Sequence, residues 1–241
     1  MQKKPRKLHG GDIYRHPEVI DFSVNTNPLG APESVKRAVQ ASVAKIEHYP
    51  DVRCEALREA ISGFEQVNME EILCGNGAAE LFFAAVQAVR PQKALVTAPS
   101  FSEYEEALRS VGAEVEYYYL CEEDNFQIRE DYVDKLSEEI DMIFLCNPNN
   151  PTGQTIDRDM LIKILDRCKK QNIVVILDEC FLEFLDEPNR YEMSDLRGEY
   201  PNLLIIKAFT KIFSMPGLRL GYAISSNQDI LEEMSWKLQQ W

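Results

Sequence analysis

A lysine and an arginine near the end of the sequence have the residue types and spacing of a covalent cofactor site. Lys211 follows Thr210, has apolar neighbours, and precedes Arg219 by eight positions. Apolar surroundings disfavour the ammonium form of a lysine, so its amine loses a proton more easily and can attack a carbonyl. The planar guanidinium of an arginine suits a phosphate group. This pair indicates pyridoxal phosphate (PLP) chemistry, but an ordinary loop lysine and a structural arginine explain the two residues equally well.

Two polar residues that follow apolar runs could contact a heterocyclic ring. Asp178 ends the run Ile173–Leu177, where a carboxylate is costly unless a cation or a donor pairs with it. The protonated nitrogen of a pyridine ring would be such a partner, and a helix-capping aspartate is the alternative. Asn150 lies in the segment Cys146–Gly153, whose two Asn-Pro steps predict a rigid turn that presents an amide in a fixed direction. That amide could hydrogen-bond a phenolic oxygen, and here the pattern favours function.

A glycine-rich turn and an aromatic residue could hold other parts of such a ligand. Gly77, Ala78 and Ala79 lie between an apolar run and a helical run, where the backbone can approach an anion closely and the free helix N–H groups can bind it. A tight structural turn is the alternative for this motif. Phe101 follows another apolar run and could stack on a flat ring, although a lone phenylalanine is more often part of the core.

The elements that must position these residues alternate between short apolar runs and helical runs. The runs that predict strands are Ile72–Cys74, Ala94–Ala98, Val115–Leu120, Met142–Cys146, Ile173–Leu177, Leu203–Ile206 and Leu218–Ile224. The runs that predict helices between and after them are Ala78–Val89, Ser102–Val111, Glu130–Glu138, Asp157–Gln171 and Gln228–Trp241. Continuous apolar strands indicate a sheet covered on both faces, so we expect an α/β sandwich with a largely parallel sheet. Ligands bind at the carboxyl ends of such strands.

The composition excludes several other classes of protein. No apolar run of the 241-residue sequence approaches 18 residues, and its basic start is not followed by an apolar core, so we expect a soluble protein without a secretory signal. The six cysteines are scattered without Cys-x-x-Cys spacing, which indicates reduced thiols in a cytoplasm and no metal site. A net charge of −14 argues against a nucleic-acid partner.

The motifs together resemble the fold type I PLP enzymes, the aspartate-aminotransferase (class I and II) superfamily. The matching features occur in the family's order: the glycine-rich turn, the aromatic residue, Asn147–Gly153, Asp178-Glu179, and Thr210-Lys211 with Arg219. Within the superfamily, the sequence is most similar to the group of histidinol-phosphate aminotransferase and threonine-phosphate decarboxylase, the second of which belongs to cobalamin biosynthesis. The resemblance implies a three-layer α/β/α sandwich with a mostly parallel seven-stranded sheet.

The resemblance also implies a role for each candidate residue. Lys211 would form the internal aldimine with PLP, Asp178 would pair with the pyridine nitrogen, and Asn150 would pair with the phenolic oxygen. Phe101 would stack on the ring. The phosphate would be held by the turn at Gly77, the amides of Ala78 and Ala79, Arg219 and Thr210.

Further implications concern the substrate, the partner and the domains. Tyr49 would reach the cofactor of the partner subunit in an obligate homodimer, Asn27 would lie on the substrate side, and His9 could contact a substrate phosphate. Residues 1–48 would form an N-terminal arm and helix on the small-domain side, and residues 49–241 the PLP-binding large domain. The family continues after the position of Trp241 into a C-terminal small domain with a carboxylate-binding arginine, so we expect this sequence to be either a fragment or a protein with an incomplete active site.

The reaction type stays open between two outcomes. The resemblance implies a small-molecule amino-acid substrate, and a phosphorylated amino acid in particular. Breaking Cα–H leads to transamination, and breaking Cα–COO⁻ leads to decarboxylation. Phe181, where the aminotransferase branch usually has tyrosine, favours the decarboxylase-like branch. Ala208 replaces a serine that contacts the phosphate in the family. That loss and the missing arginine leave a second hypothesis, a PLP-binding but catalytically silent fragment or regulatory paralogue.

Overall fold

The computed structural model describes residues 10–239 and contains one seven-stranded sheet in that range. The strands are β1 (Ile72–Gly75), β2 (Lys93–Ala98), β3 (Glu114–Tyr119), β4 (Met142–Cys146), β5 (Val174–Asp178), β6 (Leu203–Ala208) and β7 (Gly221–Ile224). Their order is β1-β7-β6-β5-β4-β2-β3. Strands β2 to β6 pair in parallel, and β7 is antiparallel to both β6 and β1. The predicted mostly parallel sheet is confirmed.

The register brings the ends of the central strands to one edge of the sheet. Asp178, the last residue of β5, is opposite Cys146 at the end of β4 and Ile206 on β6. Ala208, the last residue of β6, is opposite Gly221, the first residue of β7. The loops that carry the predicted site residues therefore leave the sheet at neighbouring positions.

Helices cover both faces of this sheet, as the continuous apolar strands predict. They are α1 (Glu33–Ser42), α2 (Glu55–Glu65), α3 (Ala78–Val89), α4 (Glu103–Ser110), α5 (Asp131–Asp134), α6 (Arg158–Gln171) and α7 (Gln228–Ser235). Helices α3, α4 and α7 pack in one apolar core and α2, α5 and α6 in the other. The α/β/α sandwich is thus confirmed, whereas α1 buries none of its residues.

Three predicted elements differ from the structure. The expected helix Gln228–Trp241 is an α-helix only over Gln228–Ser235, because the amides of Lys237 and Leu238 form the tighter i→i+3 bonds. The expected run Leu218–Ile224 is a strand only from Gly221, because Pro216–Leu218 form a 3₁₀ turn and Arg219 takes a left-handed backbone conformation with φ +53°. The expected helix Glu130–Glu138 is helical only over Asp131–Asp134, because the following amides form the tighter i→i+3 bonds of a 3₁₀-type turn.

The described residues contain no helix that is long and apolar enough to cross a membrane. The six cysteines, all within 10–239, are free thiols, and Cys146, Cys168 and Cys180 are buried.

Candidate active site

Asp178 is a buried carboxylate at the sheet edge where β5 ends. It is 5% exposed, and its Oδ1 accepts a hydrogen bond of 2.9 Å from the backbone N–H of Cys180. Burial raises the pKa of Asp178, while the hydrogen bonds from Cys180 and Tyr104 and the charge of Lys211 oppose that rise. Desolvation therefore outweighs these partners, and a further cationic or donor group beside Asp178 would favour its ionised form.

Tyr104 is the second partner of Asp178, and the sequence reasoning missed it. The Tyr104 hydroxyl donates to Asp178 Oδ2 at 2.5 Å. The tyrosine is fully buried in α4, its ring stacks on Phe144 at 4.8 Å, and Phe82 meets it edge-on at 5.1 Å. Packing on these rings fixes the direction of the hydroxyl. A signal was present, because Tyr104 follows Phe101 by one helical turn, but the hydrogen bond spans 74 positions.

Lys211 lies in the turn after β6, half-buried beside Phe181. Its Nζ is 5.5 Å from the centroid of the Phe181 ring. Burial lowers the pKa of Lys211, the charge of Arg219 lowers it further, and Cys180 and Asp178 oppose the shift. The net direction agrees with the expectation of a more easily deprotonated amine.

The glycine-rich turn and Arg219 form an anion cradle at the start of α3. Gly77 is the N-cap residue of this helix, with φ +84°, and it has no side chain that could cap the N–H groups of the first turn. A Cβ at Gly77 would lie 2.7 Å from Arg219 Nη2, and one at Gly221 would lie 2.9 Å from the nitrogen of Ala78. Helix N–H groups and a guanidinium are thus brought together in a space that only glycines leave open, which suits a phosphate.

Hydrogen bonds to Glu80 stabilise the turn that forms this anion cradle. Its carboxylate accepts hydrogen bonds from the backbone N–H of Asn76 at 2.6 Å and from the Asn76 side-chain amide at 3.1 Å. The backbone N–H of Gly77 donates to the carbonyl of Gly75 at 2.8 Å. The turn is therefore held before any anion is bound.

Asn150 lies beside a cavity of about 340 Å³ at the same edge of the sheet. Phe181 lines the cavity from the β5 side. Asn25 and Thr26 line it from the described chain before α2, residues 10–54, which we call the N-terminal segment. The Phe181 ring also lies beside Lys211, so this residue borders both the cavity and the lysine.

Asn149 connects the loop of Asn150 to the loop of Phe101, and it too was missed. The Ser100 hydroxyl donates to its Oδ1 at 3.0 Å, and its Nδ2 donates to the carbonyl of Pro99 at 3.1 Å and to Thr152 Oγ1 at 2.9 Å. Phe101 itself is half-buried and meets Tyr104 edge-on at 5.6 Å. The Asn-Pro pattern pointed to this segment, but not to which of its asparagines binds the neighbouring loop.

The remaining predicted site residues lie in different surroundings. Thr210 is half-buried directly before Lys211. Asn27 hydrogen-bonds the backbone of the Lys211 turn. Tyr49 is 83% exposed on the N-terminal segment. His9 lies outside the described residues.

Comparison with known proteins agrees with this geometry. The family model for aminotransferase class I and II matches residues 17–236. A threonine-phosphate decarboxylase of Salmonella typhimurium is 37% identical over 241 residues, covering 97% of this chain and 66% of that protein.

Two solved structures have the same architecture. The histidinol-phosphate aminotransferase of Clostridium acetobutylicum superposes with a TM-score of 0.84 at 33% identity, covering 92% of this chain and 65% of that one. The L-threonine-O-3-phosphate decarboxylase of Porphyromonas gingivalis has a TM-score of 0.78 at 25% identity, covering 92% and 66%. The chain therefore spans about two thirds of the length of these relatives.

Proposed function

This chain belongs to the class I and II aminotransferases, and from that premise we propose that it binds PLP and acts as a PLP-dependent enzyme on amino acids. The observation that carries the proposal is that three groups lie at the same edge of the sheet. They are the buried carboxylate of Asp178, the half-buried amine of Lys211 and the anion cradle at Gly77 and Arg219.

The chemistry of these groups fits PLP. The anion cradle offers N–H groups and a guanidinium to the phosphate, in space that a Cβ at Gly77 or Gly221 would fill. Burial disfavours the charged form of Asp178, and a protonated ring nitrogen would supply a donor that favours that charge. Asn150 would hydrogen-bond the ring oxygen, and Phe101 would stack on the ring.

Each residue would then have a defined task. When bound, PLP supplies an aldehyde that joins an amine and a ring that withdraws electrons from a bond at the substrate Cα. The Lys211 amine, whose pKa burial lowers, would hold the cofactor and later accept or return a proton at Cα. Asp178, oriented by Tyr104, would keep the proton on the ring nitrogen. Arg219 and the amides of Ala78 and Ala79 would anchor the phosphate, and Thr210 could add a hydroxyl.

Phosphorylated amino acids are the proposed substrates, with decarboxylation ahead of transamination. The names of the relatives include both threonine-phosphate decarboxylase and histidinol-phosphate aminotransferase. Phe181 supports the decarboxylase-like branch, because its ring faces Lys211 and has no hydroxyl to donate to the cofactor oxygen.

A homodimer with shared sites is part of the same proposal. Large apolar side chains of the N-terminal segment are exposed: Tyr14, Phe22, Leu29 and Ile46. Tyr49 would reach the partner's cofactor from this segment. Residues 1–48 would form the substrate-side arm, residues 49–241 the PLP-binding domain, and the protein would work in the cytoplasm.

Replacing Lys211 tests the cofactor proposal. The purified protein should turn yellow with PLP, and borohydride reduction should leave the added mass on the peptide that contains Lys211. Lys211→Ala should abolish both signals, whereas Lys163→Ala, an exposed residue of α6 paired with Glu130, should keep them. A wild-type protein that stays colourless with PLP would overturn the proposal.

Product analysis then separates an enzyme from a silent binder. Release of CO₂ from a phosphorylated amino acid supports decarboxylation, and transfer of its amino group supports transamination. A yellow protein that yields neither product with phosphorylated amino acids would favour the catalytically silent alternative.

A further inference from the structure

The N-terminal segment crosses the turn that carries Lys211 and is hydrogen-bonded to it at two consecutive carbonyls. The backbone N–H of Asn27 donates to the carbonyl of Lys211 at 3.0 Å. The side-chain Nδ2 of Asn27 donates to the carbonyl of Ile212 at 2.9 Å. These bonds connect positions about 185 residues apart, so they form only when the chain is folded.

The donor and the acceptor of the Asn27 side chain bind different parts of the protein. Its Oδ1 accepts a hydrogen bond of 3.0 Å from the backbone N–H of Leu29, which closes a turn within its own segment. Only its Nδ2 reaches the lysine turn. The side-chain contribution of Asn27 to that turn can therefore be removed, while its local acceptor and its backbone bond to the Lys211 carbonyl remain.

The turn that receives these bonds is closed by long backbone hydrogen bonds of its own. Met215 donates to the carbonyl of Thr210 and Ser214 to the carbonyl of Lys211, both at 3.2 Å, and Phe213 donates to the carbonyl of Phe209 at 3.3 Å. Ser214 has φ +45°, a left-handed conformation that costs free energy in a residue with a Cβ. A strained turn of this kind needs outside support to keep one conformation.

We propose that Asn27 is a positioning residue for Lys211: its side-chain amide fixes the backbone from which the lysine side chain extends towards Phe181. A lysine has four rotatable side-chain bonds, so a mobile backbone would spread its amine over many positions. The backbone contact is independent of the cofactor, while its catalytic consequence rests on the proposed function.

The same segment also borders the cavity beside Asn150. Asn25 and Thr26 line that cavity, and Asn27 follows them directly. A molecule bound in the cavity would contact Asn25 and Thr26, which are next to Asn27, the residue that holds the lysine turn. Asn27 thereby connects the cavity wall to the Lys211 backbone.

Two substitutions separate the two roles of the Asn27 side chain. Asn27→Asp keeps an acceptor for Leu29 but replaces the donor with an oxygen that faces the Ile212 carbonyl, whereas Asn27→Ala removes both. Asn227→Ala is the matched control, because Asn227 caps α7 beyond the opposite end of β7 through a bond of 3.1 Å from the N–H of Ile230.

Hydrogen exchange of the protein without PLP measures the contact itself. We expect the amides of Ser214 and Met215 to exchange about tenfold faster in Asn27→Ala, and at least as fast in Asn27→Asp, since one hydrogen bond is lost in a locally opening turn. Asn227→Ala should change exchange only near the start of α7. Wild-type exchange at residues 211–215 in Asn27→Asp would overturn the proposal, because the local acceptor alone would then suffice.

The rate at which Lys211 couples with PLP measures the effect of this contact on the lysine amine. Since burial lowers the pKa of Lys211, a looser turn hydrates the amine and raises that pKa, and we expect about threefold to tenfold slower coupling at neutral pH in both Asn27 variants. Faster exchange with unchanged coupling would overturn the positioning role. A failure of the wild-type protein to couple with PLP would contradict the proposed function instead, and the exchange result would still decide whether Asn27 holds the turn.

Discussion

At the scale of single residues, the Tyr104 hydroxyl favours the ionised form of Asp178. Burial raises the pKa of the aspartate, and the Tyr104 hydrogen bond is one of the few interactions that oppose this shift. Tyr104→Phe should therefore raise the pKa of Asp178 further. The loss of a hydrogen bond to a charged group costs about 1.5–3 kcal/mol, so PLP affinity should fall about tenfold to a hundredfold.

The pH profile of PLP binding checks this cause. As the pH falls, Asp178 gains a proton and its attraction for a protonated ring nitrogen is lost, and in Tyr104→Phe this loss should begin at a higher pH. Tyr132→Phe is the control, because the Tyr132 hydroxyl is equally buried but has no hydrogen-bond partner within residues 10–239. If fluorescence titration gave Tyr104→Phe the affinity and profile of the wild type, Tyr104 would be only a packing residue.

At the scale of elements, the anion cradle depends on how closely β7 approaches the start of α3. A Cβ at Gly221 would lie 2.9 Å from the backbone of Gly77 and Ala78 and 3.0 Å from the carbonyl of Lys207, none of which is a flexible side chain. Gly221→Ala should push α3 away from β7, lower stability by about 1–3 kcal/mol, and weaken the binding of inorganic phosphate and of PLP.

A second glycine provides the control for that change. Gly63 lies inside α2, and a Cβ there would meet nothing within 4 Å. Gly63→Ala should stabilise the protein by roughly 0.5–1 kcal/mol through the higher helix propensity of alanine, with phosphate binding unchanged. Calorimetric titration with phosphate, together with thermal unfolding, distinguishes a damaged anion cradle from a general effect of adding a methyl group.

The elements also show what the sequence could predict. Apolar runs reveal strands directly, and Met142–Cys146 and Ala78–Val89 have the predicted bounds. Arg219 was expected to open a strand, but its left-handed backbone depends on the Pro216–Leu218 turn. The partners of Asp178 and of the Lys211 turn lie 74 and about 185 positions away, so only the folded chain identifies them.

At the scale of the whole molecule, a buried ionic cluster joins α2, β6, β7 and the loop after β5. Lys207 on β6 is 4% exposed, and its Nζ lies 2.9 Å from Glu65, 3.1 Å from Glu192, 3.6 Å from Glu183 and 3.9 Å from Glu179. Burial lowers the pKa of Lys207, but the glutamates raise it and the net shift is upward. One buried cation thus faces four carboxylic groups, so the charge of each group depends on the others.

Glu179 is the member of this cluster that should titrate near neutrality. It is fully buried, and neither of its carboxylate oxygens has a hydrogen-bond partner among the described residues. Burial raises its pKa to about 8, Lys207 opposes the rise, and Glu192, Glu65 and Glu183 add to it. Because the folded state holds the proton more tightly, the stabilisation is complete below the ordinary pKa of 4.5 and is lost as the pH rises through 8.

Glu179→Gln should remove this dependence, since an amide of the same shape carries no charge at any pH. Relative to the wild type, the variant should gain roughly 2–4 kcal/mol in the free energy of unfolding between pH 4.5 and 8 and then level off. Urea unfolding at several pH values measures the difference, and Glu122→Gln, at an exposed position, should follow the wild type. A constant difference between Glu179→Gln and the wild type over that range would mean that Glu179 is ionised throughout, with Lys207 attracting its charge strongly enough to offset the burial.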